Sequence, residues 1–195
     1  MAVINTARNI KKSISKFSKV ALSTRQQFRG TIMQVTKKVE INKSAEQVWD
    51  LVANQFDKAH LWMGPIPHSV AMGKGKGLSG APMEGRVCDL SDNPNGPKVK
   101  EIITEYSEQN KTLAFDVLPV NNPKIVPIKQ NHVKMTVRAI GPNKSEVIWT
   151  ASPQLKAFAY PFYPLLRLIF PVAFGKLLQG LKVYAEKHTL TVNAA

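Results

Sequence analysis

The order of hydrophobic patterns along this chain is its tightest constraint. One strand and two short helical patterns come first. A long run of hairpin-like strands follows, and only then a strongly apolar helical stretch at about residues 157–181. A late helix this apolar, after a sheet with no other helix to cover it, is expected to be clasped by that sheet. Such a clasp commonly leaves room between sheet and helix, so the chain is read first as a container.

The strand pattern opens near Met33, where Val35, Lys37, Val39 and Ile41 alternate with Thr36, Lys38 and Glu40. Ser44 with Gln47 three residues on forms a capping box, and Ala45, Val48, Trp49 and Val52 share a helical face. A second short helix is expected over 56–63, ended by Gly64 and Pro65. Further strands are expected at 69–73, 83–90, 99–107, 112–118, 132–140 and 146–153. Turn chemistry separates several of them, as in Asp92-Asn93-Pro94-Asn95-Gly96-Pro97 and Gly141-Pro142-Asn143-Lys144. Links this short join antiparallel neighbours, so the sheet is expected to be an antiparallel meander. In the last helix Pro164 suits a helix start, whereas Pro171 predicts a kink or interruption. The front half of that helix is apolar on nearly every side, which calls for sheet, an apolar ligand or a membrane around it. Residues 157–174 are short for a bilayer span and contain Arg167, Pro161, Pro164 and Pro171, so no stretch reads cleanly as one.

With 44% apolar residues in 195, the chain has enough to bury a real core. The net charge of +14 is uneven: nine of the 27 basic residues precede the first acid, Glu40. In that segment Val3, Ala7, Ile10, Ile14, Phe17 and Ala21 form one helical stripe and Arg8, Lys12, Lys16 and Lys19 lie opposite. Residues 1–30 therefore read as a basic amphipathic extension, with Arg8, Lys11, Lys12, Lys16 and Lys19 as contacts for an anionic membrane surface. An organelle-targeting segment is the alternative. No secretory signal is visible, and the expected location is cytoplasmic or peripheral to a membrane. Only Phe17 and Phe28 interleave with these cations, so no specific nucleic-acid partner is expected. Residues 31–190 read as the folded domain and 191–195 as a tail.

Catalytic signals are sparse. Gly75-Lys76-Gly77-Leu78-Ser79-Gly80 matches a dinucleotide-type glycine pattern but precedes Pro82 and a strand instead of a helix, so it reads as a flexible loop near a cavity mouth. His60, His68, His132 and His188 lack metal-ligand spacing, so no metal and no cofactor are expected. The lone Cys88 excludes an internal disulfide and reads as core packing. Asp57, His60, Glu101, Asp116, His132 and Arg138 are the ionisable candidates for a cavity wall, though each reads first as a surface charge.

Val48-Trp49, Leu61-Trp62, Glu84-Gly85-Arg86-Val87, Val99-Lys100-Glu101-Ile102, Leu113-Ala114-Phe115 and Glu146-Val147-Ile148-Trp149-Thr150, followed by a long helix, resemble the START/Bet v 1-like (SRPBCC) superfamily in its polyketide cyclase/dehydrase and lipid-transport branch. The resemblance covers about residues 33–187. It implies an α+β helix-grip fold, a curved antiparallel sheet wrapped around the long C-terminal helix, with two short helices after the first strand. Alternate strand residues and one helix face should line its cavity. The candidates are Trp62, Val87, Phe115, Val117, Met135, Val137, Trp149, Phe170, Phe174, Leu177 and Leu181. The expected activity is binding, with possible transport, of a hydrophobic small molecule such as a lipid, isoprenoid or polyketide. An aromatase, cyclase or dehydrase using the same cavity is the alternative, and a protein-interaction domain the third reading.

Overall fold

In the computed structural model, residues 33–73, 78 and 80–190 are described. The basic extension, including Arg8, Lys11, Lys12, Lys16 and Lys19, lies outside the described residues, as do most of the glycine loop and the tail.

Seven strands form one sheet: β1 (Val35–Ile41), β2 (Ser69–Met72), β3 (Gly85–Asp89), β4 (Lys98–Ser107), β5 (Thr112–Val120), β6 (Ile128–Gly141) and β7 (Lys144–Leu155). Their order is β1-β7-β6-β5-β4-β3-β2, and every neighbouring pair is antiparallel. This is the expected meander, with β1 returning to pair with β7. Register shifts between Ile103 and Glu105, Ile128 and Gln130, and Ala139 and Gly141 insert extra residues that bend the strands. The result is the curved sheet of a helix-grip fold.

The first helix, α1 (Ala45–Trp49), starts at the capping box: Ser44 Oγ accepts from the Gln47 amide at 3.3 Å, and Gln47 Oε1 accepts from the Ser44 amide at 3.2 Å. It passes directly into a π-helical turn, Asp50–Asn54. That widening turns Asp50 inward, where Asn54 Nδ2 and Gln55 Nε2 donate to its carboxylate at 3.1 and 2.6 Å. The second short helix is a 3-10 helix, Phe56–Leu61. Both pack under the sheet through Val48, Trp49, Leu51, Val52 and Phe56, with Phe56 edge-on to Phe115 at 5.0 Å.

After a 3-10 segment, Ala157–Phe162, the last helix α2 runs from Tyr163 to Lys187. It continues through Pro171 without interruption, contrary to the sequence expectation. A proline removes one donor and crowds one carbonyl, and here the flanking turns hold the helix across that gap. Taken with the preceding segment, the helical stretch is long and apolar enough to cross a bilayer. Its rear is nonetheless fixed to the sheet: Leu178, Leu181 and Ala185 are buried in the main core. Lys182 Nζ donates to the Glu40 carbonyl at 2.6 Å, and the Asn42 amide donates to Glu186 Oε1 at 2.9 Å. A second, smaller cluster joins Phe170 to Met33 and Val35. The front of α2 corrects the expectation of enclosure, because Leu165, Leu168, Ile169 and Val172 face solvent.

Candidate functional site

The inward faces of β4 to β7 alternate as a half-buried sheet requires: Phe115 on β5, Val133, Met135 and Val137 on β6, and Val147, Trp149 and Ala151 on β7. Between this face and α2 lies a cavity of about 680 Å³. The turn after the 3-10 helix closes one side with Trp62 to Ile66. The strands contribute Glu101, Phe115, Val117, Asn131, Val133 and Trp149, and α2 contributes Ala173, Phe174, Lys176, Leu177 and Gly180. Gly180 sets how closely helix and turn approach, since a Cβ there would sit 2.5 Å from the Trp62 carbonyl oxygen. Three aromatic rings build one wall, with Trp149 edge-on to Trp62 at 6.4 Å and to Phe115 at 6.2 Å.

Of the eleven expected lining residues, the fold brings Trp62, Phe115, Val117, Trp149, Phe174 and Leu177 to the cavity. The other five do not reach it. Met135, Val137 and Leu181 point inward but end in solid core, and Phe170 packs in the smaller cluster with Met33 and Val35. Val87 lies on the opposite face of β3, because Arg86 and Cys88 take the buried side. Burial of an arginine is uncommon, and here it gives the inner face of β3 to Arg86 in place of Val87.

Arg86 is inside because Glu101 is opposite it. The two pair across β3 and β4, and Arg86 Nε donates to Glu101 Oε2 at 2.6 Å, with the residues 1% and 5% exposed. A second guanidinium nitrogen donates to the Phe56 carbonyl, and the cation lies 3.9 Å over the Phe56 ring. One cross-strand row therefore runs Arg86, Glu101, Val117, Asn131. Asn131 escaped the sequence analysis because β6 begins at Ile128, earlier than the expected start at His132. Extending the alternation of Val133 and Met135 backward by one step would have found it.

Among the ionisable candidates, Glu101 alone borders this cavity. Asp116 and His132 pair with each other on the outer face, Asp116 Oδ1 to His132 Nδ1 at 2.7 Å. Arg138 pairs with Glu146 at the surface, and His60 Nδ1 meets Ser69 Oγ at 2.9 Å beside a shallower depression. Asp57 sits in the 3-10 helix away from the cavity wall. Among the described residues no cluster of His, Cys, Asp or Glu could hold a metal. Cys88 is fully buried, and desolvation pushes its thiol up to about 12, so it is an inert core residue.

Two buried polar atoms of cavity-lining residues have no partner among the described residues: the Trp149 indole N–H, a donor, and Asn131 Oδ1, an acceptor. An unpaired buried polar atom costs about 1–3 kcal/mol, a cost that a pairing group on a bound molecule would relieve. Chemically, the site can enclose an apolar body.

A family model described as "Polyketide cyclase / dehydrase and lipid transport" matches residues 33–186. The chain belongs to that family. No curated protein matches the sequence. Solved structures share the fold at low identity. A START superfamily protein from Mycobacterium smegmatis superposes with TM-score 0.62 at 13% identity, covering 80% of this chain and 99% of the other. The ZhuI aromatase/cyclase from Streptomyces sp. R1128 gives 0.62 at 9%, covering 80% and 94%. Ginseng major latex-like protein 151 from Panax ginseng gives 0.60 at 16%, covering 83% and 100%. This family member thus shares the helix-grip fold of these structures.

Proposed function

We propose that the chain binds a mainly apolar small molecule, a lipid, isoprenoid or polyketide, between sheet and α2 and carries it without chemical change. The observation that supports this most is the cavity of about 680 Å³, walled by aromatic and aliphatic side chains with Glu101 already committed to Arg86. A ligand burying on the order of 300 Å² of apolar surface gains roughly 7 kcal/mol at about 25 cal/mol per Å², before the cost of immobilising it. The unpaired Trp149 N–H and Asn131 Oδ1 favour a neutral hydroxyl or carbonyl on that ligand. A carboxylate is disfavoured deep in the cavity, where apolar walls would strip its hydration, Arg86 is already paired with Glu101, and Lys176 stands at the exposed rim.

Dodecane, dodecanol and dodecanoate test this, read by the emission of Trp62 and Trp149 at the wall and by native mass spectrometry. Dodecanol should bind several-fold more tightly than either of the others, and Leu177→Trp, which fills the cavity, should abolish binding while the chain stays folded. Undiminished binding to Leu177→Trp would place the ligand elsewhere.

A cyclase, aromatase or dehydrase is the second reading, and the inward position of Glu101 is the observation that favours it. Such an enzyme needs an acid or base free to exchange a proton. If Glu101→Gln leaves turnover of a test polyketide chain unchanged, this reading falls.

A further inference from the structure

Residues Leu165, Leu168, Ile169 and Val172 recur at i, i+3, i+4 and i+7, the spacing that ordinarily marks a core-facing stripe. Here the stripe points outward. Leu168 is 72% and Val172 60% exposed, whereas Phe170 on the other side of the same turns is buried. Phe158, Tyr160 and Phe162 extend the exposed surface at the helix entry. The β5–β6 loop lies beside it, since the Lys156 amide donates to the Pro127 carbonyl at 2.8 Å and Lys156 Nζ reaches the Lys124 carbonyl at 3.5 Å. That loop holds out Ile125, 81% exposed. A soluble surface rarely leaves so many large apolar side chains together without a partner.

The charges around the face decide which partner. Lys124, Lys129, Lys156, Arg167 and Lys176 belong to these segments, and Glu146 is the one acid between Asp116 and Glu186. Glu146 pairs with Arg138 near the far end of β7 from Leu155. Apolar and aromatic side chains among cations, on segments 121–130 and 156–176 that carry no acid, match the boundary between the acyl chains and anionic headgroups of a bilayer. The next turn of the same helix carries Ala173, Phe174 and Leu177 into the cavity wall. We infer that the front of α2, with residues 157–162 and the tip of the β5–β6 loop, is a membrane-docking face that sets an anionic bilayer beside the cavity. It lies flat on the surface and does not cross, because Leu178, Leu181 and Ala185 stay locked in the core.

The test uses the full chain with phosphatidylcholine vesicles, with and without phosphatidylglycerol. Wild type should co-float with the anionic vesicles, and Leu168→Glu/Val172→Glu should lose about tenfold or more in partitioning. Both positions are exposed, so the thermal transition should hold, and so should dodecanol binding, which separates this face from the cavity. As Cys88 is buried, an environment-sensitive nitrobenzoxadiazole dye can be placed at Leu168→Cys, with Asn110→Cys in the β4–β5 turn, at the opposite end of the sheet, as control. A blue shift at position 168 and none at 110 on adding anionic vesicles supports the inference. Flotation without that shift means that residues 1–30 hold the membrane alone and overturns it. A label at 168 already shielded without vesicles means that the chain itself or a second copy covers the face, and also overturns it.

Discussion

Arg86 and Glu101 bring a full ion pair to the cavity floor, where each charge depends on the other. Removing one partner leaves the other buried without compensation, at a typical loss of 3–5 kcal/mol. Glu101→Gln is therefore expected to lower stability by about 3 kcal/mol or more in urea unfolding. Replacing both together with apolar residues of similar volume should recover much of that loss. Trp149 behaves differently, because its indole N–H has no partner to lose among the described residues. Trp149→Phe should cost little beyond packing yet remove the preference for dodecanol over dodecane, read by titration of both probes. A preference that survives the substitution would assign the polar group to Asn131 alone.

Two glycines in α2 separate helix propensity from packing at the scale of the element. Nothing lies within 4 Å of where a Cβ on Gly175 would stand, so Gly175→Ala should stabilise the protein by about 0.5–1 kcal/mol. Gly180→Ala gains the same propensity but drives a methyl to 2.5 Å from the backbone oxygen of Trp62. It should lower Tm and change the emission of Trp62, because helix and turn must move apart where they bound the cavity. Equal effects of the two substitutions in thermal unfolding would show that the close approach is not maintained in solution.

For the whole molecule, the grip depends on carboxylates at its ends. Glu186 accepts from Lys182 and from the Asn42 amide, and these bonds hold it below its ordinary value of 4.5. Glu108 is raised by partial desolvation, but hydrogen bonds from Lys111, Trp49 and Tyr106 outweigh that and leave it lowered as well. A carboxylate with a depressed folded-state pKa contributes stability above its unfolded value and loses it as pH falls through the folded value. Stability should therefore be retained down to about pH 4.5 and decline below it. Glu186→Gln should flatten that acid limb in a series of urea unfolding curves. An acid limb unchanged in both Glu186→Gln and Glu108→Gln would move the acid sensitivity to other groups.

The sequence by itself determined the strand–helix–meander–helix order, the capping box at Ser44 and the antiparallel pairing. Local period, turn chemistry and hydrogen-bonding residues carry those signals with no knowledge of distant neighbours. The family resemblance, more than any local pattern, pointed to Trp62, Phe115 and Trp149 as wall residues, and it named Met135, Val137 and Phe170 on the same grounds. What only the tertiary structure decided is which apolar stripe meets protein and which does not. Met135 and Phe174 have similar patterns, yet one ends in solid core and the other at a cavity, since the outcome depends on how far α2 stands from each strand. Arg86 was hidden for the same reason: its burial is set by Glu101 across the ladder, a partner fifteen positions away that no local periodicity reveals.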